Sequence, residues 1–331
     1  MSVSVSIVIP TANRRDSVLQ TVGTALKQNF PASNFEIIVV LDGPDQATFK
    51  ALRNLDASPR LRLVELLTNR GPSAARNAGW REAKSELVLF LDDDMICSPR
   101  LVSEHVRAHA ELKGKRESVG LGAIYVAPNQ PPSLAAESFI RGLGSVYLRH
   151  RDHPAEPWPE NVWSFANTSV SRKVLESVGG FDERLRKRED GELGVRLLHA
   201  GVHQEFLPGA VAFQVATKTA DQLIRDAEVS AECDLLFLET HPQRTPHEFI
   251  TDLGKEGEWK RRTRRLLAGN LGIIDGLLSP LCSIGEWRGA PRPFRSLAVR
   301  ILLFRCGLHW YNRWNKLSGI EILNSRIGPR L

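Results

Sequence analysis

Three carboxylates stand together at Asp92, Asp93 and Asp94, directly after the run Glu86-Leu87-Val88-Leu89-Phe90-Leu91. A continuous apolar run of this length reads as a strand buried on both faces. Adjacent anions at its tip raise one another's pKa, and burial raises it further. A divalent cation resolves that conflict. In extended chain Asp92 and Asp94 point to the same side and could share one ion. Hard carboxylate ligands that leave positions open for phosphate oxygens suit Mg²⁺ or Mn²⁺. A solvated acidic turn after a core strand accounts for the same three residues. The elements around them must decide.

Those elements alternate. Val3 to Ile9 reads as a first strand stopped by Pro10, and Asp16 can cap the helix carrying Val18, Leu19, Val22, Ala25 and Leu26. Glu36 to Leu41 is a second buried strand, ended by Asp42-Gly43-Pro44 and followed by a helix over 46–55. Leu61 to Leu67 is a third strand, and Gly71-Pro72 opens a helix to about Lys84, with proline in its first turn where the missing N–H is harmless. Strands alternating with helices imply βαβ units and a parallel sheet, whose ligands bind outside the carboxyl ends of the strands. Pro10-Thr11, Asp42 and Asp92 to Asp94 all fall there. Further on, the patterns give a helix over 99–112, a strand over 119–125, a helix over 133–149 and a proline-bearing loop over 151–160. A short strand over 162–166, a helix over 171–178 closed by Gly179-Gly180, and a helix over 189–200 follow. Two short strands over 202–206 and 211–215 precede a long helix over 219–240.

With 331 residues, 42% hydrophobic and 25% charged, the chain has the composition of a globular protein of one large or two ordinary domains. Its net charge of +6 is uneven: residues 255–331 hold 15 Lys/Arg and 5 Asp/Glu, whereas the rest hold 29 and 33. A basic tail on an acidic body points to an anionic surface as the tail's partner. Cys97, Cys233, Cys282 and Cys306 form no C-x-x-C pair, so reduced thiols in a cytoplasmic protein are the simplest reading. Met1 to Pro10 lacks the basic start of a signal peptide.

The tail begins with the basic stretch Lys260 to Arg265. Leu267, Leu271, Ile274, Leu278 and Leu281 form one helical stripe, with Gly272, Gly276, Ser279 and Ser283 opposite. The length of 266–285 would just span a bilayer, but Asp275, Pro280 and four glycines argue against a span. Leu297, Ile301, Phe304, Leu308 and Tyr311 form a second stripe flanked by Arg300, Arg305, Trp310, Arg313 and Trp314. A basic, Trp-bearing amphipathic helix suits a membrane interface, and packing on its own domain or in a homo-oligomer is the alternative.

The motifs, in order, resemble those of family 2 glycosyltransferases of the GT-A fold. They are Val5-Ser6-Ile7-Val8-Ile9-Pro10-Thr11-Ala12-Asn13-Arg14, Glu36 to Gly43, Asn69-Arg70-Gly71 through Gly79, Phe90 to Asp94, Gly179 to Glu183, and Glu189-Asp190-Gly191-Glu192-Leu193. The likeness runs from about residue 3 to 240. It implies an α/β class chain with a Rossmann-like, mostly parallel sheet flanked by helices, plus a C-terminal helical extension. The expected division is a glycosyltransferase domain over 1–245, with a nucleotide-binding half (1–115) and an acceptor half (116–245), and a basic helical tail over 246–331.

The resemblance also implies a reaction: transfer of a sugar from a nucleotide-diphosphate sugar to an acceptor hydroxyl, with inversion. The acceptor would be a glycan, a lipid-linked sugar or a small molecule, with nucleic acid not expected. Asp94 and Asp92 are the implied metal ligands, of Mg²⁺ or Mn²⁺. Pro10, Thr11, Asn13, Arg14, Asp42, Asn69, Arg76, Asp92 and Asp93 are the implied donor-binding residues. Asp190 is the implied general base, with Glu189 to orient it or to bind the acceptor, and Lys187 and Arg188 are weaker candidates for the diphosphate. Acids in a first helical turn also complement the dipole without catalysing anything.

Two departures stand out. Leu41-Asp42-Gly43 keeps one acid where the family often has two, and Phe213-Gln214-Val215 stands where many members carry a histidine. A sugar nucleotidyltransferase would place a glycine-rich basic loop after the first strand, which Pro10-Thr11-Ala12-Asn13-Arg14 lacks. A catalytically weak binding or scaffold protein of the same fold is the other alternative. Trp158 and Trp163 could stack on sugar faces or fill a core.

Overall fold

A computed structural model describes residues 4–55, 60–112, 116–131, 133–153, 156–160, 162–242, 258–287 and 290–317. Val3, Pro154, the expected boundary at 245 and 246, and the side chains of Lys260 and Arg261 lie outside what is described. The described chain divides into two compact units. The first comprises 1–130, 142–185 and 189–215; the second comprises 131–141, 186–188 and 216–331.

The apolar runs form the middle of one eight-stranded sheet in the first unit. Its strands are β1 (Val5–Thr11), β2 (Phe35–Leu41), β3 (Leu61–Glu65), β4 (Leu87–Leu91), β5 (Met95–Cys97), β6 (Ser118–Val126), β7 (Asn167–Ser171) and β8 (His203–Gln214), in the order β3-β2-β1-β4-β7-β6-β8-β5. β1 to β4 are mutually parallel, so Thr11, Leu41 and Leu91 end at one edge. β7 runs antiparallel to β4 and β6, and β8 runs parallel to β6. Every residue of β4 is buried, whereas β3, at the sheet edge, is only half-buried. The all-apolar and the mixed patterns follow from those places.

Helices α1 (Arg15–Ala25), α2 (Gln46–Arg53), α3 (Pro72–Glu82) and α4 (Leu101–Leu112) connect the first six strands. Then come α5 (Leu134–Arg141), α6 (Leu143–Asp152), α7 (Arg172–Val178) and α8 (Glu189–His199). α3 lies so close to the sheet that a Cβ on Gly79 would stand 2.3 Å from Val8 Cγ1 and 3.1 Å from Val40 Cγ2. Gly79→Ala tests this contact. In an exposed helix alanine gains about 1 kcal/mol over glycine. Here overpacking should reverse the sign and lower stability by about 1–3 kcal/mol in urea unfolding. An unchanged or raised midpoint would contradict the packing.

Several elements differ from the sequence reading. Asp16 lies in the first turn of α1, whose N-cap is Arg14. The helix expected over 133–149 is two helices, α5 and α6. No strand forms over 162–166; the chain pairs instead at Asn167–Ser171. That strand is buried although polar, because its side chains are satisfied. Asn167 Nδ2 donates to the carbonyls of Ala123 and Ala210, and its Oδ1 lies 3.0 Å from His105 Nε2. Ser169 Oγ lies 2.8 Å from His105 Nδ1 and 2.9 Å from His109 Nε2. Burial pushes the His105 imidazole down to about 3, so it is neutral in the fold. The two expected short strands are one strand, β8, whose register against β6 shifts between Gly122 and Ala123.

The second unit is helical: α12 (Arg292–Lys316) packs with α5, α9 (Ala220–Thr240), α10 (Glu258–Gly269) and α11 (Leu271–Glu286). α9 starts with a capping box between Thr219 and Gln222 and falls in this unit rather than with the sheet. The expected α12 surface is found in part: Leu297 and Phe304 are exposed, but Trp310 and Trp314 are buried and stacked at 4.8 Å, and Trp310 Nε1 donates to Asp234. Arg305 is buried against Asp275. Among the described residues no single helix is long and apolar enough to cross a membrane. The pair Arg262–Gly269 and Leu271–Glu286 passes on length and composition but is bent by 86°.

Candidate active site

Three clusters form at the carboxyl edge of β1, β2 and β4. In the first, Thr11 Oγ1 at the end of β1 donates to Asp93 Oδ2 at 2.7 Å. Arg14 donates through Nη1 to Asp93 Oδ1 at 2.6 Å and through Nη2 to Asp94 Oδ2 at 3.1 Å. Asn13, just before it, holds a left-handed φ of 54°, which asparagine tolerates better than most residues. The Asp93 carbonyl accepts from Ser17 and Thr21, and Thr21 Oγ1 accepts from the Met95 N–H. The acidic turn is thus tied to α1 through its backbone as well as its side chains. Burial pushes the Asp93 carboxyl up to about 7 against the pull of Arg14 and Thr11.

In the second cluster, Asp42 at the end of β2 accepts from the backbone N–H of Arg70 on Oδ1 (2.7 Å) and of Gly71 on Oδ2 (2.8 Å). Asn69 Nδ2 donates to the Asp42 carbonyl at 3.1 Å. Gly71 takes a φ of 92°, open to glycine without strain, and α3 begins at the next residue. The carboxylate therefore organises the loop ahead of α3, where its charge also complements the helix dipole.

The third cluster is built on Arg76, from the second turn of α3. It is 4% exposed. Its Nη2 donates to Asp92 Oδ1 at 2.8 Å and its Nη1 to Glu189 Oε1 at 2.9 Å; Asp190 Oδ1 lies 3.7 Å from Nη1. The guanidinium sits 5.5 Å over the Phe181 ring. Asp190 Oδ2 accepts the Phe165 N–H at 2.9 Å, while its Oδ1 is buried with no hydrogen-bond partner. Burial pushes the Asp190 carboxyl up to about 7, Arg76 opposes that rise, and Glu189 and Asp92 add to it.

The expected residues are thus gathered, but several are engaged differently. β4 ends at Leu91 and the acids lie in a turn. Asp92 faces Arg76 while Asp93 and Asp94 face Arg14, so strict alternation toward one ion does not hold. Asp93 is buried against the protein's own Thr11 and Arg14. Both Asp42 oxygens already hold backbone N–H groups. Arg76 binds carboxylates rather than facing solvent. Lys187 and Arg188 pair with Asp226 and Asp234 on α9. Pro10 pairs in register with Val40, beside these clusters. Gln214 closes β8 opposite Met95, and the next N–H, of Val215, donates to the Asp94 carbonyl, so the segment does border the acidic turn. Ser17, Thr21 and the Phe165 N–H were not legible: a hydroxyl or amide that supports an acid carries no pattern of its own.

The Gly179 to Glu183 motif proves structural. Asn77 accepts the Phe181 N–H and donates to the Phe181 carbonyl and to Glu183. A Cβ on Gly180 would stand 2.6 Å from Asn77 Oδ1. This junction fixes Phe181 under Arg76.

A metal fits this turn only as a shared ion. Among the described residues no three His, Cys, Asp or Glu side chains group to hold one. Asp92 and Asp94 alone would leave most of the coordination to a ligand.

The chain is 29% identical over 280 residues to validoxylamine A glucosyltransferase of Streptomyces hygroscopicus subsp. jinggangensis, covering 75% of this chain and 64% of that protein. The chain thus spans less than two thirds of that relative's length. In structure it is similar to the mannosyltransferase PcManGT of Pyrobaculum calidifontis, solved with GDP-Man and Mn²⁺. The TM-score is 0.58 at 17% identity, over 94% of this chain and 87% of that one. It is also similar to residues 1–349 of S. aureus TarS with UDP, with a TM-score of 0.51 at 16% identity, over 96% and 91%. These likenesses give the GT-A fold. The model of the family described as glycosyl transferase family 2 matches residues 6–174, just over half of the chain, from the second residue of β1 through β7 and including the acidic turn. The chain belongs to glycosyl transferase family 2.

Proposed function

We propose that the chain transfers a sugar from a nucleoside-diphosphate sugar to an acceptor hydroxyl by direct displacement with inversion. The observation that carries this reading is Asp190: one carboxylate oxygen is pinned by the Phe165 N–H and the other has no hydrogen bond. A carboxylate fixed in that way has one oxygen to offer a proton donor, and a pKa raised toward neutrality makes it an effective base. The acceptor oxygen attacks the anomeric carbon, the bond from that carbon to the diphosphate oxygen breaks, and the acceptor proton passes to Asp190 Oδ1. The Phe165 N–H and Arg76 hold Asp190 in place, and Glu189 holds Arg76.

Pro10, Thr11, Asn13, Asp42 and Asn69 line the nucleoside end in this reading, and Arg14, Asp92 and Asp93 the diphosphate end. Asp92 and Asp94 would hold Mg²⁺ or Mn²⁺ together with the diphosphate; bound there, the ion neutralises charge on the leaving group. Arg14, already across Asp93 and Asp94, adds a fixed positive charge beside that group. The likeness to a validoxylamine A glucosyltransferase favours a hexosyl donor, with a glycan, lipid-linked or small-molecule acceptor. Four free cysteines suit a reducing cytoplasm, and the basic tail over 260–316 suits a peripheral place at a membrane.

The test is a donor screen by thermal shift with Mn²⁺, using UDP-, GDP- and dTDP-sugars. A ligand at a hundred times its Kd stabilises by about 2.7 kcal/mol, a rise of several degrees. One nucleotide class should give that rise, and chelator should reduce it. No shift with any of the three would overturn the proposal.

A further inference from the structure

α11 carries apolar residues on more than one side, yet among the described residues the second unit covers only part of them. Cys282 and Gly285 are buried against α12, where a Cβ on Gly285 would meet the Ala298 Cβ at 2.2 Å. Leu271 and Ile274 pack on the cluster around Leu308 and Tyr311. The other side of the helix is bare: Ile273, Leu277 and Ile284, spaced along one stripe, are 65%, 67% and 52% exposed. Leu266 on α10 is 67% exposed, and Trp259 and Trp287, near the two ends of the α10–α11 pair, are 76% and 66% exposed. The sequence pattern put glycine and serine on this side. Gly272, Gly276 and Ser283 are indeed exposed, but between large apolar side chains. Single exposed leucines are ordinary; a contiguous stripe of this kind marks an interaction surface.

Charge selects the occupant. Residues 258–317 carry 12 Lys/Arg and 3 Asp/Glu; Arg295, Arg305 and Arg313 pair with Glu137, Asp275 and Glu232, and the remainder is still strongly basic. Arg262 and Arg265 are exposed on α10, and Arg292 and Arg300 on α12. Of the acids, Asp275 is already held by Arg305 and His309. A second copy meeting this surface would bring the same positive charge against it. An anionic bilayer supplies both an apolar layer for the stripe and counter-charge for the arginines. Tryptophans suit the headgroup level.

Resting on the peripheral placement proposed above, we infer that the outward stripe of α11, with Leu266, Trp259 and Trp287, is the surface by which this protein docks in the plane of an anionic lipid bilayer. The helices lie in the interface, as their bend of 86° and the lack of any single spanning helix among the described residues fit.

The experiment is flotation of the full chain with vesicles of phosphatidylcholine alone and of phosphatidylcholine mixed with phosphatidylglycerol. Binding is expected to the mixed vesicles, weaker in high salt, and about tenfold or more weaker for the double variant Ile273→Ser, Leu277→Ser. Both positions are exposed, so the variant should keep its circular dichroism and the donor-induced thermal shift of the wild type. That shift, read on the same samples, separates failure of the docking surface from failure of the donor site. No binding to the mixed vesicles, or equal binding by the double variant, overturns the inference. So does a concentration-dependent dimer that the same substitutions dissolve while vesicles capture nothing.

Discussion

Asp190→Asn should lower the rate of sugar transfer by about 10²–10⁴-fold, the usual worth of a positioned general base. The substitution keeps size and can keep the hydrogen bond from the Phe165 N–H, so the fold of the α8 start is preserved. What it removes is the oxygen able to take a proton. Donor binding should change little, because Asp190 serves the acceptor side in this mechanism. The same carboxyl sets the pH dependence. Its pKa is raised to about 7 by burial, so the base is charged above that value and neutral below it. Wild-type turnover should therefore fall as pH drops through about 7 and level off above it, and the Asn variant should lose that limb. A variant within about threefold of wild type would remove Asp190 from the reaction. A wild-type profile flat from pH 8 to 5 would contradict the raised pKa.

Arg76→Met should be the most destabilising single change in the site. The guanidinium is buried and holds Asp92 and Glu189 at hydrogen-bond distance, with Asp190 at 3.7 Å. Removing one partner of a buried ion pair leaves uncompensated charge and typically costs about 3–5 kcal/mol. The half-exposed Asp92 can regain water, which draws the expectation to the lower end, about 3 kcal/mol. That is a large share of a total stability of about 5–15 kcal/mol. Urea unfolding should show a lower midpoint at constant slope, and Glu189→Gln added to Arg76→Met should recover part of it. Lysine is not equivalent, since one ammonium cannot reach Asp92 and Glu189 with the separate arms of a guanidinium. A side chain serving only to contact donor would behave differently: Arg76→Met would leave stability intact and raise KM alone.

The parts of this structure that were legible in the sequence are those where burial is apolar. β4 is wholly apolar and β1 and β2 are mostly Val, Ile and Leu, and the three lie side by side within the sheet with α1 to α3 between them in sequence. β7 was placed five residues early because its buried face is Asn167, Thr168 and Ser169, satisfied by His105, His109 and backbone carbonyls far away in sequence. Pro208-Gly209 reads as a break, yet β8 runs through it by a register shift. At the site, residue types located the acids but not their partners. Nothing local distinguishes Asp93, turned inward on Thr11 and Arg14, from Asp92, turned to Arg76. The tail misled in a similar way. Basic flanks around Trp310 and Trp314 suggested a surface, whereas Asp234 and stacking make both tryptophans core. Apolar exposure remains at Leu297 and Phe304 on α12 and extends to α11, where apolar residues on several sides hide which side is covered.

Direct displacement at the anomeric carbon fixes the stereochemistry, so the most direct measurement is the anomeric configuration of the first-formed product, read by proton NMR from the coupling of its anomeric hydrogen. With the donor identified by the thermal-shift screen, an α-linked donor should give a β-linked product, with no α product at early times. Retention of configuration would require a second displacement or a front-face reaction, and would contradict Asp190 as the base of a single-step transfer.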